Sequence, residues 1–113
     1  MKHLIERVWI YSFNNPEGFT IDLTSFKPIT KGIAVAYLET QNSHSKESIN
    51  KVIIHAKNNE NTIGGWLEKD LYYFDSVKIF ETKDLEKAIE FAKEQKQIAI
   101  FNLTTFETIE IKY

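Results

Sequence analysis

Two segments of the chain carry apolar residues at the same helical spacing. The first set is Ile49, Val52, Ile53 and Ala56, and the second is Leu85, Ala88, Ile89 and Ala92. Both sets follow the i, i+3, i+4, i+7 pattern of a helix that buries one face. The pattern predicts two amphipathic helices, one running from Ser45 to about Lys57 and the other from Thr82 or Asp84 to about Gln95.

Each predicted helix lies between two apolar runs that predict strands. The first helix has 32–38 before it and 62–67 after it, and the second has 71–80 before it and 97–103 after it. The order strand, helix, strand, strand, helix, strand is that of a split βαβ unit. The sequence therefore predicts an α+β domain with a ferredoxin-like core. Because residues 33–38 are all apolar, that strand is expected to be covered on both faces.

Further strands are predicted at both ends of the core. Residues 4–13 alternate imperfectly between apolar and polar types, and a second short run covers 19–23. At the C-terminus Ile109, Ile111 and Tyr113 alternate with polar residues, as in an edge strand. With 113 residues and no linker-like segment, the chain is expected to be a single domain, 1–113.

Glycines and turn residues mark the hairpin between the central strands. Residues 68–70 predict a tight turn. Gly64 and Gly65 fall within the preceding strand, where paired glycines indicate either a bulge or a close approach of another segment.

The composition excludes several classes of function. The chain contains no cysteine, so it has no disulfide, thiolate zinc site or cysteine nucleophile. The formal net charge of −2 comes from intermixed charges and gives no broad phosphate-binding field. Neither a signal peptide nor a membrane-spanning run is evident, which predicts a cytoplasmic protein, in the host cytoplasm if a phage encodes it.

Aromatic residues concentrate around the predicted hairpin, and three of them are candidate partner-binding residues: Trp66, Tyr72 and Tyr73. Trp and Tyr are favoured anchors of protein interfaces. A sheet face with aromatic residues can also stack bases, as RNA-recognition domains do, but the run 71–78 lacks their basic, glycine-interrupted motif. A protein partner is the favoured hypothesis, and single-stranded nucleic acid is the alternative.

Polar residues between the first core strand and its helix form a second candidate region. Glu39, Gln41, Asn42 and His44 lie where backbone N–H groups and loop side chains converge. They could bind a partner or satisfy the end of their own helix. Asp75, mid-strand among the aromatic residues, is a further candidate partner-binding residue. Because its strand is expected to neighbour that of Glu39, a paired-carboxylate site for a small ligand or for hydrolysis is a further alternative.

Neither a cofactor nor a metal is predicted. The three histidines, His3, His44 and His55, stand in no ligand spacing, and His55 is expected to be a half-buried packing residue on the first core helix. A single arginine and the lack of a glycine-rich phosphate loop leave no catalytic constellation. The chain is therefore predicted not to be an enzyme.

Several of these stretches together resemble a family of small uncharacterised domains of bacteriophages and plasmids, which occur alone or within polyvalent proteins of mobile elements. The resemblance covers about 18–112 and rests on Gly18-Phe-Thr-Ile-Asp-Leu, Gly64-Gly-Trp, Tyr72-Tyr-Phe-Asp and Gln97-Ile-Ala-Ile-Phe-Asn-Leu, with Glu39-Thr-Gln-Asn. It implies a mobile-element context, in which small standalone proteins often act on host defences. The resulting hypothesis is a non-enzymatic protein-binding module that inhibits a host defence effector, as anti-CRISPR proteins do.

Overall fold

The structure is a computed structural model that describes residues 2–113 and contains three helices and six strands. The helices are α1 (Lys2–Asn14), α2 (Lys46–Lys57) and α3 (Leu85–Glu94). The strands are β1 (Phe19–Asp22), β2 (Ile33–Ala36), β3 (Thr62–Glu68), β4 (Leu71–Phe80), β5 (Ala99–Asn102) and β6 (Glu107–Glu110). No helix between residues 2 and 113 is long and apolar enough to cross a membrane.

The strands form one antiparallel sheet in the order β1-β3-β4-β2-β5-β6. Its central part, β3-β4-β2-β5 with α2 and α3 as connections, has the order of the predicted split βαβ unit. β1 extends the sheet beside β3, and β6 extends it beside β5. The α+β fold with a ferredoxin-like core is confirmed.

All three helices pack on one face of the sheet. Two buried clusters lie between the helices and the strands, one under α1 and α2 and the other under α3. The strand residues in the clusters are Ile21, Ile63, Tyr72 and Phe74 in the first, and Ile33, Val35 and Ile100 in the second. The registers place all of these side chains on the same face, because residues paired across neighbouring strands share a face. The opposite face is called the helix-free face below.

The prediction of a strand over residues 4–13 is wrong, because this segment forms α1. Val8 and Ser12, four residues apart, are buried, and Leu4 and Trp9 pack against the same cluster. This spacing follows one stripe of a helix. The β-branched residues of the segment favour a strand by propensity, but the burial of this stripe against α2 and β4 overrides that weak preference.

The prediction that the first core strand is covered on both faces is also wrong. Ile33 and Val35 are buried under α3, whereas Ala34 and Ala36 are only partly buried on the helix-free face. All residues of the strand are apolar although one face is not covered, because the positions on the helix-free face are occupied by alanine, a small residue. Its regular pairing ends at Ala36, and residues 38–40 form a single 3-10 turn.

The two helices predicted from the repeated apolar spacing bury their apolar residues to different extents. In α2 all four predicted residues, from Ile49 to Ala56, are buried, and Ser45 caps the helix by accepting a hydrogen bond from the N–H of Ser48. In α3 only the two alanines are buried, while Ile89 is partly buried and Leu85 is exposed.

The paired glycines lie in a regular part of β3, without the bulge that was one expectation. Gly65 faces the helices, and an added Cβ would lie 2.5 Å from two atoms of the Phe19 ring. Gly64 faces the other way, and its nearest neighbour would be 3.4 Å from an added Cβ. The close approach that the sequence predicted is therefore that of the Phe19 ring to Gly65.

This asymmetry predicts different costs for alanine at the two glycines. Gly65→Ala is expected to lower the free energy of unfolding by about 1–3 kcal/mol, because the Phe19 ring must shift in a packed layer. Gly64→Ala should change it by less than about 1 kcal/mol. Urea denaturation of the two variants and of the parent chain measures both values. Equal destabilisation by the two variants would contradict the assignment of Gly65 to the helix side of β3 and of Gly64 to the other side.

Candidate functional site

Five of the eight predicted site residues fall into two groups on opposite faces of the sheet, and Gln41, Asn42 and Tyr72 belong to neither group. His44, Trp66, Tyr73 and Asp75 lie on the helix-free face, at the end of the sheet formed by the β3–β4 hairpin. Glu39 lies on the other side of the sheet, beside His55 of α2. The paired-carboxylate site predicted for Glu39 and Asp75 is therefore not formed, since the two side chains occupy opposite faces.

An aromatic stack is the centre of the first group. Trp66 and Tyr73 pair directly across β3 and β4, and their rings stack with centroids 4.9 Å apart and an interplanar angle of 24°. The edge of the His44 ring meets Tyr73 at 4.6 Å. Trp66 and Leu71 are each 42% exposed. These four residues, His44, Trp66, Leu71 and Tyr73, are called the hairpin patch.

The position of His44 follows from an interruption in the strand that contains β2. After the 3-10 turn the chain returns to β4, where the N–H of Phe74 donates to the carbonyl oxygen of Ser43 at 2.9 Å. Ser43 is buried on the helix side, so the next residue, His44, turns to the helix-free face. Its Nδ1 lies 2.9 Å from the carbonyl oxygen of Tyr72, which fixes Nδ1 as the donor.

The gap left by the interruption is closed by a side chain. The N–H of Ser76 donates to Oγ1 of Thr40 at 3.0 Å, in place of a backbone carbonyl of the neighbouring strand. Thr40 is fully buried. The 3-10 turn is thereby fixed to β4, and the segment that carries His44 is held in place at both ends.

Asp75 is the unusual residue of this face. It lies mid-strand beside Tyr73, and its partner across the strands, Gly64, has no side chain. Burial raises the pKa of the Asp75 carboxyl to about 6, and the nearby charge of His44 lowers it only in part. Within residues 2–113 no group donates a hydrogen bond to this carboxylate. A carboxyl group whose pKa is shifted by burial, with a charged side chain nearby, is a feature of functional sites.

Tyr72 is a structural residue and is not available to a partner. It faces the helices, is 7% exposed, and its hydroxyl donates to the carbonyl oxygens of Ser12 and Asn15 at the end of α1. Burial also raises the pKa of its hydroxyl. The prediction that Tyr72 binds a partner does not fit this location.

Gln41 and Asn42 lie on the exposed connection before α2. Asn42 adopts a left-handed conformation with φ of 64°, which turns the chain back towards β4. Neither residue contacts the hairpin patch through a side-chain hydrogen bond in the described chain. Their role in the structure is to shape the return to Ser43.

The second group contains a Ser–His–Glu arrangement that the sequence did not predict. Oγ of Ser76 lies 2.8 Å from Nδ1 of His55, and Nε2 of His55 lies 3.3 Å from Oε2 of Glu39. They adjoin an open cleft of about 810 Å³, lined by His55 and Glu39 together with Tyr37, Lys51, Asn59 and Gln95, among others. No sequence spacing could have found it, because Ser76 and His55 are far apart in the chain.

This arrangement has the wrong orientation for a nucleophilic serine. Ser76 is fully buried under α2, whereas Glu39 is largely exposed. A serine nucleophile must reach a substrate, with its carboxylate on the buried side of the histidine. Here the buried hydroxyl orients His55, whose ring also packs edge-on against Tyr37 at 4.7 Å. The arrangement satisfies the polar groups of a half-buried histidine, as the sequence predicted for His55.

In the part of the chain from Lys2 onward, no three His, Cys, Asp or Glu side chains come together as possible metal ligands. Comparisons of the chain with protein-family models, with curated proteins and with solved structures find no match. The site must therefore be interpreted from its own geometry.

Proposed function

We propose that this chain is a non-enzymatic protein-binding module that binds its partner through the hairpin end of the helix-free face. The observation that carries the proposal is the Trp66–Tyr73 stack, in which Trp66 is 42% exposed, beside Asp75, a carboxylate to which no group of the described chain donates a hydrogen bond. Trp and Tyr supply most of the binding energy in many interfaces. Both are fixed on paired strands, so little conformational entropy is lost when a partner binds.

The proposal is also supported by the position of the hairpin patch at an end of the sheet. Leu71 adds exposed apolar area next to the stack, and Glu68 provides a charged rim. An apolar centre with a polar rim is the usual composition of a protein interface. The prediction that the partner is a host defence effector, drawn from the resemblance to mobile-element domains, stays a prediction.

Single-stranded nucleic acid is the less favoured alternative because of the charge of this face. The strand positions described on it include Asp22, Glu68, Asp75 and Glu110 and no lysine or arginine. Binding of a single strand combines stacking with a basic groove that follows the phosphates. A fluorescent oligothymidylate is therefore expected not to bind at low salt, and salt-sensitive binding would favour the alternative.

Alanine variants of the stack test the proposal. Trp66→Ala and Tyr73→Ala are each expected to weaken capture of the partner from a nuclease-treated bacterial lysate by about 30-fold or more, as loss of an interface anchor does. Capture is quantified by mass spectrometry at several bait concentrations. Thermal unfolding of each variant checks that the fold is retained.

Phe13→Ala is the matched control, since it also removes an exposed ring but from α1, on the other side of the sheet. Its capture of the partner is expected to equal that of the parent chain. If all three variants capture equally, the hairpin patch is not the interface and the proposal is wrong.

A further inference from the structure

We infer that the chain pairs with a second copy of itself along the outer edge of β6, in an antiparallel, two-fold symmetric arrangement that continues the sheet. The surface involved is separate from the hairpin patch, because β2 and β5 lie between β4 and β6. The inference is carried by the open backbone of this edge, by the exposed apolar side chains around it and by the charges that the pairing brings together.

The two outer edges of the sheet differ in how their backbone groups are satisfied. At β1 the chain covers its own edge with residues 27–29. The N–H of Asp22 donates to the carbonyl oxygen of Lys27 at 3.1 Å, and the N–H of Ile29 donates to the carbonyl oxygen of Thr20 at 2.8 Å. Within residues 2–113, β6 pairs only with β5. An unpaired edge of this kind is a template for another strand.

The register between β5 and β6 shows which groups of β6 point outwards. The N–H of Ile111 donates to the carbonyl oxygen of Ile98 at 2.8 Å, so Ile109, two residues earlier, also bonds β5 through its backbone. In an antiparallel pair such residues alternate with residues whose backbone points away from the neighbouring strand. The N–H and C=O groups of Thr108 and Glu110 therefore point outwards, and both residues are exposed.

The most exposed large apolar side chains of the described chain lie beside this edge. They are Ile98, Phe106 and Tyr113, which are 82%, 80% and 76% exposed. Ile98 comes directly before β5, and Phe106 and Tyr113 lie on either side of β6. Single exposed apolar residues are common on protein surfaces, but three at one edge of a sheet are typical of an interaction site.

One register of self-pairing uses all the outward groups of β6. When Thr108 of each copy faces Glu110 of the other, the two pairs form four hydrogen bonds between the chains. Ile109 then faces Ile109 of the second copy, and no two carboxylates lie directly opposite each other. A shift of two residues, the smallest that keeps the bonding groups aligned, is less favourable. In one direction Glu110 faces itself, and in the other it faces Phe106, which has a left-handed backbone with φ of 60°.

The side chains of this register favour a second copy as the occupant of the edge. It places Phe106 of each copy opposite Lys112 of the other, and the stem and ammonium group of a lysine pack well against an aromatic ring. Because the arrangement is symmetric, each favourable pair occurs twice. Glu110 faces the uncharged Thr108, so the acidic residues of the strand do not prevent the pairing.

Sedimentation velocity of the parent chain between about 5 μM and about 1 mM tests the inference. Each paired strand has four residues, so the interface is small and we expect a dissociation constant of about 100 μM. The parent chain should therefore be a monomer at the lowest concentration and mainly a dimer at the highest.

Opposite charges at position 108 test the facing of Thr108 and Glu110. Thr108→Glu should weaken dimerisation about fivefold, because two pairs of carboxylates then lie opposite each other, and Thr108→Lys should strengthen it about fivefold. Asn50→Glu and Asn50→Lys are the matched controls, since they change the net charge equally at an exposed position of α2. They should change the dissociation constant by less than about twofold.

Cysteine variants test the register, since the chain has no cysteine of its own. Ile109→Cys places two thiols opposite each other in a non-hydrogen-bonded pair, where a disulfide can form. Glu107→Cys is the control on the same strand and the same face, and its two thiols would be about 13 Å apart. Under mild oxidation Ile109→Cys should form covalent dimers at least about tenfold faster, although Glu107 is the more exposed residue. Thermal unfolding under reducing conditions checks that both variants are folded.

Three results would overturn the inference. The first is a parent chain that remains monomeric at about 1 mM. The second is equally fast cross-linking of Glu107→Cys and Ile109→Cys, and the third is the same effect of Thr108→Glu and Thr108→Lys on dimerisation. The last two would place the contact on another surface or in another register. Capture of a partner by the hairpin patch is independent of all three.

Discussion

Replacing Asp75 by asparagine is expected to stabilise the fold by up to about 3 kcal/mol above about pH 7. The folded-state pKa of Asp75 is about 6, compared with the ordinary value of 3.8. As the pH rises between these values, the unfolded chain loses the proton first, so the parent chain loses stability. A difference of about two pKa units corresponds to about 3 kcal/mol. Asparagine keeps the shape but cannot ionise.

The effect should depend on pH in one direction. Below about pH 3 the carboxyl is largely protonated in both states, and the two chains should differ by less than about 1 kcal/mol. Between about pH 4 and pH 6 the difference should grow, and above that it should stay constant. Urea denaturation at a series of pH values measures it, with Glu110→Gln as an exposed carboxylate that should show no such window.

The sign of this prediction bears on function. If Asp75→Asn stabilises the fold and weakens partner binding, the loss of binding cannot result from misfolding. Asp75 would then be a residue that lowers stability and contributes to binding. If the parent chain keeps its full stability above pH 6, the carboxylate has a partner within the fold. The proposal that this carboxylate contributes to partner binding would then lose its support.

The fold was predictable where the apolar spacing alone decides it. The four buried residues of α2 lie at one helical spacing, so their burial follows from the sequence without knowledge of any neighbour. The bounds of β4 were equally clear, because the apolar run 71–80 directly follows predicted turn residues. The structure has Lys69 and Asp70 of that turn in left-handed conformations, as in a tight hairpin. These elements are sufficient to define the split βαβ order.

The N-terminal helix was not predictable in the same way. Ile5, Val8 and Ile10 favour a strand by propensity, and the stripe that buries Val8 and Ser12 becomes meaningful only once α2 provides a surface. Tertiary contacts thus decided that this segment forms a helix and not a strand.

The candidate site was predictable in its residue types but not in its grouping. Trp66 and Tyr73 meet because the turn contains only Lys69 and Asp70, so that Glu68 pairs with Leu71; a turn over 68–70 would have paired Trp66 with Tyr72. His44 joins them only because the chain returns to β4 at Ser43 after the 3-10 turn. The contact of His55 with Ser76 depends on the packing of α2 over β4, which no spacing along the sequence encodes.

Phe74→Ala is expected to destabilise the fold by about 3–5 kcal/mol, the usual cost of removing a buried aromatic ring. Phe74 is 1% exposed and lies between the sheet and α1, with its ring 6.1 Å from that of Trp9 and 5.2 Å from that of Tyr72. Neither α1 nor α2 can move in to fill the space without losing contacts of its own. Urea denaturation measures the cost, and Phe106→Ala, at a ring that is 80% exposed, should change stability by less than about 0.5 kcal/mol.

Phe74 and Asp75 together test the register on which the site depends. Successive residues of a strand face opposite sides, so a shift of one residue would exchange their environments. With the register described here, Phe74→Ala is strongly destabilising and Asp75→Asn is stabilising at neutral pH. If Phe74→Ala changed the stability little and Asp75→Asn were strongly destabilising, the carboxylate would lie in the core. The proposal that the helix-free face is a binding surface would then be wrong.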